Sequence, residues 1–258
     1  MPYIKTSDDL TFHYALPSFQ ASIDPQKPTM LLLHPRIFDL HVLDPQLNCE
    51  RLSKGFNLLA VDHHWHGLTK VPMDSDLYDF KRVAKDLLAV MDALKIAQFH
   101  LFGVQVGAIL GLRMATMAPN RILSLLLCST PPPQESPQNV QTYRAMREVC
   151  RDSAGDGTDS IPQEIVNAGK WIYFGSHKDG SVTPPSDDLL GTHVFDLAEL
   201  FPIWLKTSNL KASNQEYVEK FFSSLYAREP MSDAEWASIT CPVLLMHGDD
   251  DRVYPLDD

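Results

Sequence analysis

Cysteine, basic charge and long apolar runs are all scarce in this chain, and each scarcity removes a class of function. The 258 residues include four cysteines, Cys49, Cys128, Cys150 and Cys241, and no two of them stand in C-x-x-C spacing. That argues against a disulfide framework and a thiolate metal site, and a reducing compartment is the simpler expectation. Lys and Arg number 22 against 33 Asp and Glu, a net charge of -11. No stretch builds a basic face, so nucleic acid is not an expected partner. No apolar run reaches the roughly 20 residues that span a bilayer. Met1-Pro2-Tyr3-Ile4-Lys5 lacks the apolar core of a signal peptide. A cytoplasmic protein without membrane contact is the expectation. Repeats and low-complexity tracts are absent too. No cofactor is expected, and the acidic run Asp249-Asp250-Asp251 has no second ligand cluster to make it a metal site.

The hydrophobic share, 44%, is enough for one large core, and one domain carrying an insertion is expected. Tyr3 to Thr6 and Thr11 to Tyr14 read as short edge strands. Met30 to His34, Asn57 to Asp62, Phe99 to Gly103, Ile122 to Cys128 and Val243 to His247 are short apolar runs, the pattern of strands buried on both faces. From Tyr78 to Leu94, Val83, Leu87, Val90, Met91 and Leu94 keep the three-to-four spacing of a helix face. Lys81, Arg82, Lys85, Asp86 and Asp92 occupy much of the other face. Strands alternating with helices predict a parallel sheet covered on both sides.

The rhythm breaks between about Thr130 and Ala237. This stretch opens on Pro131-Pro132-Pro133 and contains an Asp-, Gly- and Ser-rich loop from Asp152 to Ser160. Its helical candidates are Val140 to Arg151, Glu164 to Tyr173, Val194 to Lys206 and Asn214 to Tyr226. Trp171, Tyr173, Phe174, Phe195, Phe201, Trp204, Tyr217, Phe221 and Phe222 lie in it, and most are expected to pack inward. Ser232-Asp233-Ala234-Glu235 is a capping box that starts a helix leading back to the sheet.

Gly103-Val104-Gln105-Val106-Gly107 has the form of a nucleophile elbow, G-x-S-x-G, between a strand and a helix from Val106 to Met117. Gln105 stands where the nucleophile belongs. A carboxamide has no ionisable proton to give up and cannot replace a hydroxyl, thiol or carboxylate in attack.

Five motifs in order carry a family resemblance. They are Leu31-Leu32-Leu33-His34-Pro35, Asp62-His63-His64-Trp65-His66-Gly67-Leu68-Thr69, the elbow, Leu125 to Pro132, and Cys241 to Asp251. Together they make the chain resemble the α/β-hydrolase superfamily, in its lidded branch of small esterases, lactonases, C–C hydrolases and epoxide hydrolases. The resemblance implies an α/β-hydrolase fold: a mostly parallel sheet, helices on both faces, a core of residues 1–130 and 238–258, and a helical lid over 131–237. It implies Asp251 as the acid that orients a histidine. It implies an oxyanion cradle of two backbone N–H groups, one from Val106 and one from the loop after His34. Pro35 has no N–H, so Arg36 or Ile37 supplies the second donor.

The family's histidine follows the acid after a helix and a strand, roughly 25 to 30 residues at typical lengths. Seven residues follow Asp251. A chain truncated at its C-terminus, with a free sheet edge and a possible route to a homodimer, is therefore expected. His34 and His66 sit in loops at the carboxyl ends of strands, where ligands bind in open α/β sheets, and His247 closes the acid strand. Each is either a structural histidine or, in the case of His34 and His66, a base for an unusual hydrolase. Three readings follow: a pseudohydrolase that binds a small ester-like or carbonyl ligand, an active hydrolase with a non-standard site or a histidine from a missing or partner segment, and a fragment without settled function.

Overall fold

A computed structural model describes residues 2–6, 10–71, 79–153, 162–174, 214–249, 251, 253 and 254. The chain divides into two compact units, Met1–Gln134 with Arg228–Asp258, and Glu135–Ala227.

The first unit is built on a sheet. Among the described residues its strands are β1 (Tyr3–Lys5), β2 (Thr11–Ala15), β3 (Thr29–Leu33), β4 (Asn57–Val61), β5 (Phe99–Val104), β6 (Ile122–Cys128) and β7 (Val243–Met246), in the order β1-β2-β4-β3-β5-β6-β7. β1, β2 and β4 pair antiparallel, and β4, β3, β5, β6 and β7 run parallel. The register sets Val61, Leu33 and Gly103 side by side, and Cys128 beside both Val104 and Met246. The ends of five parallel strands therefore lie on one edge, where the chain's loops can bring chemistry together.

β3 and β4 are buried at every residue, as strands covered on both faces must be. β7 departs from the sequence expectation of a fifth buried strand. Leu244 is 54% and Leu245 68% exposed, and Val243 and Met246 are exposed as well. The reason is positional: among the described residues β7 is the last strand of the sheet, with β6 as its partner.

Around the sheet lie α1 (Asp44–Leu47), α2 (Glu50–Ser53), α3 (Phe80–Ala93) and α4 (Val106–Met117). A single 3-10 turn, Leu40–Leu43, precedes α1, and Leu40, Leu43 and Leu47 pack with Met30, Leu32, Leu58 and Ala60 into one apolar cluster. The Asp79 carboxylate caps α3 by accepting the Lys81 N–H. Val83, Leu87, Val90 and Met91 face the core as their spacing predicts. Asp86, expected on the polar face, is instead buried, because its carboxylate is turned to the His64 ring. α4 is buried from Val106 to Ala115 and is the central helix of the unit. Its buried Arg113 donates to Glu235 Oε1 at 3.0 Å and to the Glu229 carbonyl.

The second unit contains α5 (Pro137–Asp152), α6 (Gln163–Phe174) and α7 (Gln215–Tyr226). Ser136 and Asn214 cap α5 and α7 by accepting the N–H groups of Asn139 and Tyr217. Tyr217, Val218, Phe221, Phe222 and Leu225 of α7 are buried, and Arg147 of α5 ties the two helices through Glu219 and the Tyr226 hydroxyl. The expected helix over Val194 to Lys206, most of the Asp152 to Ser160 loop, and the side chains of Trp171, Tyr173, Phe174, Phe195, Phe201 and Trp204 lie outside the described residues.

The chain returns to the sheet through α8 (Asp233–Ala237), where the Ser232–Glu235 capping box is formed on both sides. No helix among the described residues is long and apolar enough to cross a membrane.

Candidate functional site

The elbow is shaped by close packing of backbone on backbone. A Cβ on Gly103 would stand 2.5 Å from the Gly107 carbonyl oxygen, and one on Gly107 would stand 2.3 Å from the Leu33 carbonyl oxygen. Only glycine fits at either place, so β5, α4 and the end of β3 meet there without side chains between them. Gln105 at the tip has φ 52° and ψ -109°. That conformation costs a non-glycine residue about 1–3 kcal/mol and persists where the surroundings fix it. Here Gln105 donates its N–H to the Cys128 carbonyl at 2.9 Å, and its own carbonyl accepts from Ala108 at 3.0 Å.

The Gln105 side chain is 7% exposed and folds back over the loop after β3. Its Oε1 accepts the Arg36 N–H at 3.3 Å. One of the two alternatives for the cradle's second donor thus meets the residue at the nucleophile position. The other, Ile37 N–H, is donated to His66 Nε2 at 3.3 Å, and Ile37 has φ 76°. Val106, next to Gln105 in sequence and the first residue of α4, is fully buried.

The histidines form one buried group under this loop. The rings of His34 and His63 stack at 3.9 Å, and His63 meets His66 edge-on at 4.2 Å. Their hydrogen bonds fix their tautomers. His66 Nδ1 lies 2.7 Å from the His64 carbonyl, so it carries the proton and Nε2 is the acceptor for Ile37. His34 Nδ1 donates to the Pro35 carbonyl at 2.8 Å, and its Nε2 accepts the His63 N–H at 3.4 Å. Burial holds the His34, His63 and His66 rings below the ordinary histidine range, and for His63 and His66 the neighbouring rings and the Arg36 guanidinium add to it. For His34 the Asp62 carboxylate opposes the shift without reversing it. His34 and His66 thus each carry a proton on Nδ1 and face a backbone N–H with Nε2.

Asp62, at the end of β4, holds the group in place. Oδ2 accepts from His13 Nδ1 at 2.6 Å and from the Leu68 N–H at 3.1 Å, while Oδ1 accepts the Leu40 N–H at 2.7 Å. A buried carboxylate needs such a set of partners. The sequence reading assigns Asp62 only to a motif. The available signal was its position: an ionisable residue closing a wholly apolar strand must be satisfied by the loops that follow. Asp86 carries the same lesson, with its Oδ2 at 3.1 Å from His64 Nε2 and 3.2 Å from Arg82 Nε. Ser129, at φ 48°, is a further strained position next to the elbow's partner Cys128.

Asp251 lies past the end of β7. Its Oδ1 accepts two backbone N–H groups, from Val253 and Tyr254, each at 3.0 Å. Its Oδ2 faces His247 Nε2 at 3.8 Å. Gln105, Arg36, Ile37 and His34 are thus gathered in one place with Val106, and Asp251 stands on the same edge of the sheet, beyond β6. Among the described residues no cluster of three or more His, Cys, Asp or Glu side chains is arranged to hold a metal ion.

Residues 30–148 match the family described as alpha/beta hydrolase fold. The chain is 24% identical over 256 residues to the AB hydrolase superfamily protein YisY of Bacillus subtilis (strain 168), covering 99% of this chain and 83% of that protein. A 99-residue stretch is 31% identical to an epoxide hydrolase of Caballeronia sordidicola, spanning 38% of this chain and 30% of that protein. The enol-lactonase from Burkholderia xenovorans LB400 superimposes with a TM-score of 0.72 at 20% identity, over 99% of this chain and 84% of that one. A hydrolase from Pseudomonas aeruginosa PA01 does so with a TM-score of 0.70 at 23% identity, over 99% and 83%. The chain has the α/β-hydrolase fold, and residues 30–148 carry that family's sequence pattern.

Proposed function

We propose that this chain is a pseudohydrolase: an α/β-hydrolase scaffold that receives a small ester, lactone or other carbonyl ligand and does not hydrolyse it. The observation that carries the reading is Gln105 itself. The elbow backbone keeps its strained form, yet its tip presents an amide with no nucleophilic lone pair to activate, and that amide is hydrogen-bonded to the cradle donor Arg36.

General-base chemistry by the nearby histidines is also disfavoured. His66 Nε2 and His34 Nε2 each have their acceptor lone pair committed to a backbone N–H, and both rings are buried with depressed basicity. Neither is free to activate a water. The ligand class rests on the neutral hydrogen-bonding character of the cradle and on the superfamily's esterase- and lactonase-type neighbours.

A second reading is supported by Asp251. Its carboxylate is held by two N–H groups with one oxygen left toward an imidazole, the form of an acid able to orient a histidine. A histidine contributed by another segment or a partner chain would then serve an unusual hydrolase.

Equilibrium binding with mass balance separates the two. Purified protein is saturated with δ-valerolactone, binding is followed by ligand-observed NMR, and the lactone is recovered. The pseudohydrolase reading expects saturable binding with the lactone recovered intact. Conversion to 5-hydroxypentanoate at a rate proportional to protein supports the hydrolase instead.

A further inference from the structure

We infer that the Gln105 carboxamide is a tethered occupant of the carbonyl cradle, and that a small neutral carbonyl ligand enters by displacing it from the Arg36 N–H. The inference rests on the ligand-binding reading above and adds what the site contains at rest and what controls its affinity.

Both walls of the contact are fixed backbone. On one side the Gln105 peptide is locked by the Cys128 carbonyl and by the N–H groups of Ala108 at 3.0 Å and Ile109 at 3.2 Å. On the other, the loop carrying Arg36 is pinned one residue later by His66 and again at Leu40, whose N–H donates to Asp62 Oδ1. Between the walls lies one unbranched, rotatable side chain, so exchange of the cradle's occupant needs only a change of Gln105 rotamer.

The group the donor meets is chemically informative. Gln105 Oε1 is a planar, uncharged carbonyl oxygen, the same acceptor that a lactone, ester or amide ligand brings. At 3.3 Å the bond is at the long end for an N–H donor, so replacement by a ligand carbonyl trades one neutral hydrogen bond for a better one. The near-complete burial of Gln105 makes the trade necessary: a ligand that reached Arg36 without moving it would leave a desolvated amide oxygen without its donor. Affinity is therefore set by competition between the tethered carbonyl and the free one.

The test uses the full chain, uniformly labelled with nitrogen-15, with two ring probes: δ-valerolactone, which carries the carbonyl, and tetrahydropyran, which does not. Wild type is compared with Gln105→Ala and with Gln105→Gly, the latter suited to the positive φ should the alanine variant fold poorly. The inference expects both variants to bind the lactone about tenfold more tightly than wild type, the fold-change for losing one neutral competing hydrogen bond. Tetrahydropyran should bind all three alike and weakly. The Arg36 amide resonance should shift on substitution and return toward its wild-type position as lactone is added. Equal lactone affinity in wild type and variants overturns the tethered occupant while leaving ligand binding intact. Equal affinity for the two rings shows that no carbonyl is received at Arg36, which also overturns it. Failure of all three proteins to bind the lactone defeats the ligand-binding reading, and the inference with it.

Discussion

His66 Nε2 accepts the N–H of Ile37 at 3.3 Å, and it can do so only as a neutral imidazole protonated at Nδ1. Protonation of Nε2 would set two donors against each other under the loop that carries Arg36. His34 and His63 are stacked beside it, likewise buried with lowered basicity. The sign follows from linkage. These rings bind protons less readily when folded, so their contribution is complete above the unfolded histidine pKa, about 6.5. It is lost as pH falls from there toward the depressed folded values. Asp39, whose carboxyl is pushed up by burial and by Asp62, acts in the opposite sense at lower pH. His41, raised by its hydrogen bond to Asp44, acts in the opposite sense above about pH 6.5, so the buried cluster is read below it: the melting temperature should fall between about pH 6.5 and 5, by calorimetry or circular dichroism. A melting temperature that rises over that interval would contradict the buried neutral cluster.

Gly103 and Gly107 give a sharper test of the elbow. A Cβ at either meets a carbonyl oxygen well inside van der Waals contact, and both obstacles are backbone. Gly103→Ala and Gly107→Ala should each lower stability by about 3 kcal/mol or more, at the upper end for overpacked sites. Urea denaturation measures the difference. A loss below 1 kcal/mol in either variant would mean that the strands and α4 do not meet as described.

Two variants at Gln105 separate strain from hydrogen bonding. Alanine removes the Arg36 contact and keeps the positive φ, so Gln105→Ala should cost about 0.5–1.5 kcal/mol. Glycine removes the same contact and relieves about 1–3 kcal/mol of backbone strain, so Gln105→Gly should be the more stable of the two and at least equal to wild type. The order of the two midpoints in urea is the readout, and alanine above glycine would refute the strained tip.

Among the described residues the outer edge of β7 has no strand partner and carries four exposed apolar side chains, and we propose that a second copy of the chain pairs there about a two-fold axis. The net charge of -11 opposes that pairing at low salt. Sedimentation should show association that rises with protein concentration and with added salt, and Leu245→Lys should reduce it. A wild-type protein monomeric at all salt concentrations would leave this edge without a role in assembly.

Much of the architecture was legible because buried parallel strands announce themselves. Met30 to Leu33 and Leu58 to Val61 have no polar interruption, and both are buried throughout. The elbow was legible from two glycines at fixed spacing. The helical pieces from Leu40 to Ser53 were not, because each is a single turn and too short to show a period. The inward turn of Asp86 was hidden because its partner, His64, is distant in sequence and belongs to a loop. For β7 two sequence signals point opposite ways, an apolar run that prefers burial and an expected free edge, and among the described residues its place at the end of the sheet decides for exposure. The engagement of Arg36 by Gln105 spans 69 positions and has no local signature.

The central claim is that the elbow binds and does not cut. Its most direct test is steady-state turnover of 4-nitrophenyl acetate by the purified wild-type chain, measured beside a buffer blank and His66→Ala. The pseudohydrolase account predicts release of 4-nitrophenolate at the blank rate, with no saturation as ester concentration rises. Saturable turnover proportional to protein concentration, and lost in His66→Ala, would contradict it and make the chain a hydrolase of unusual mechanism.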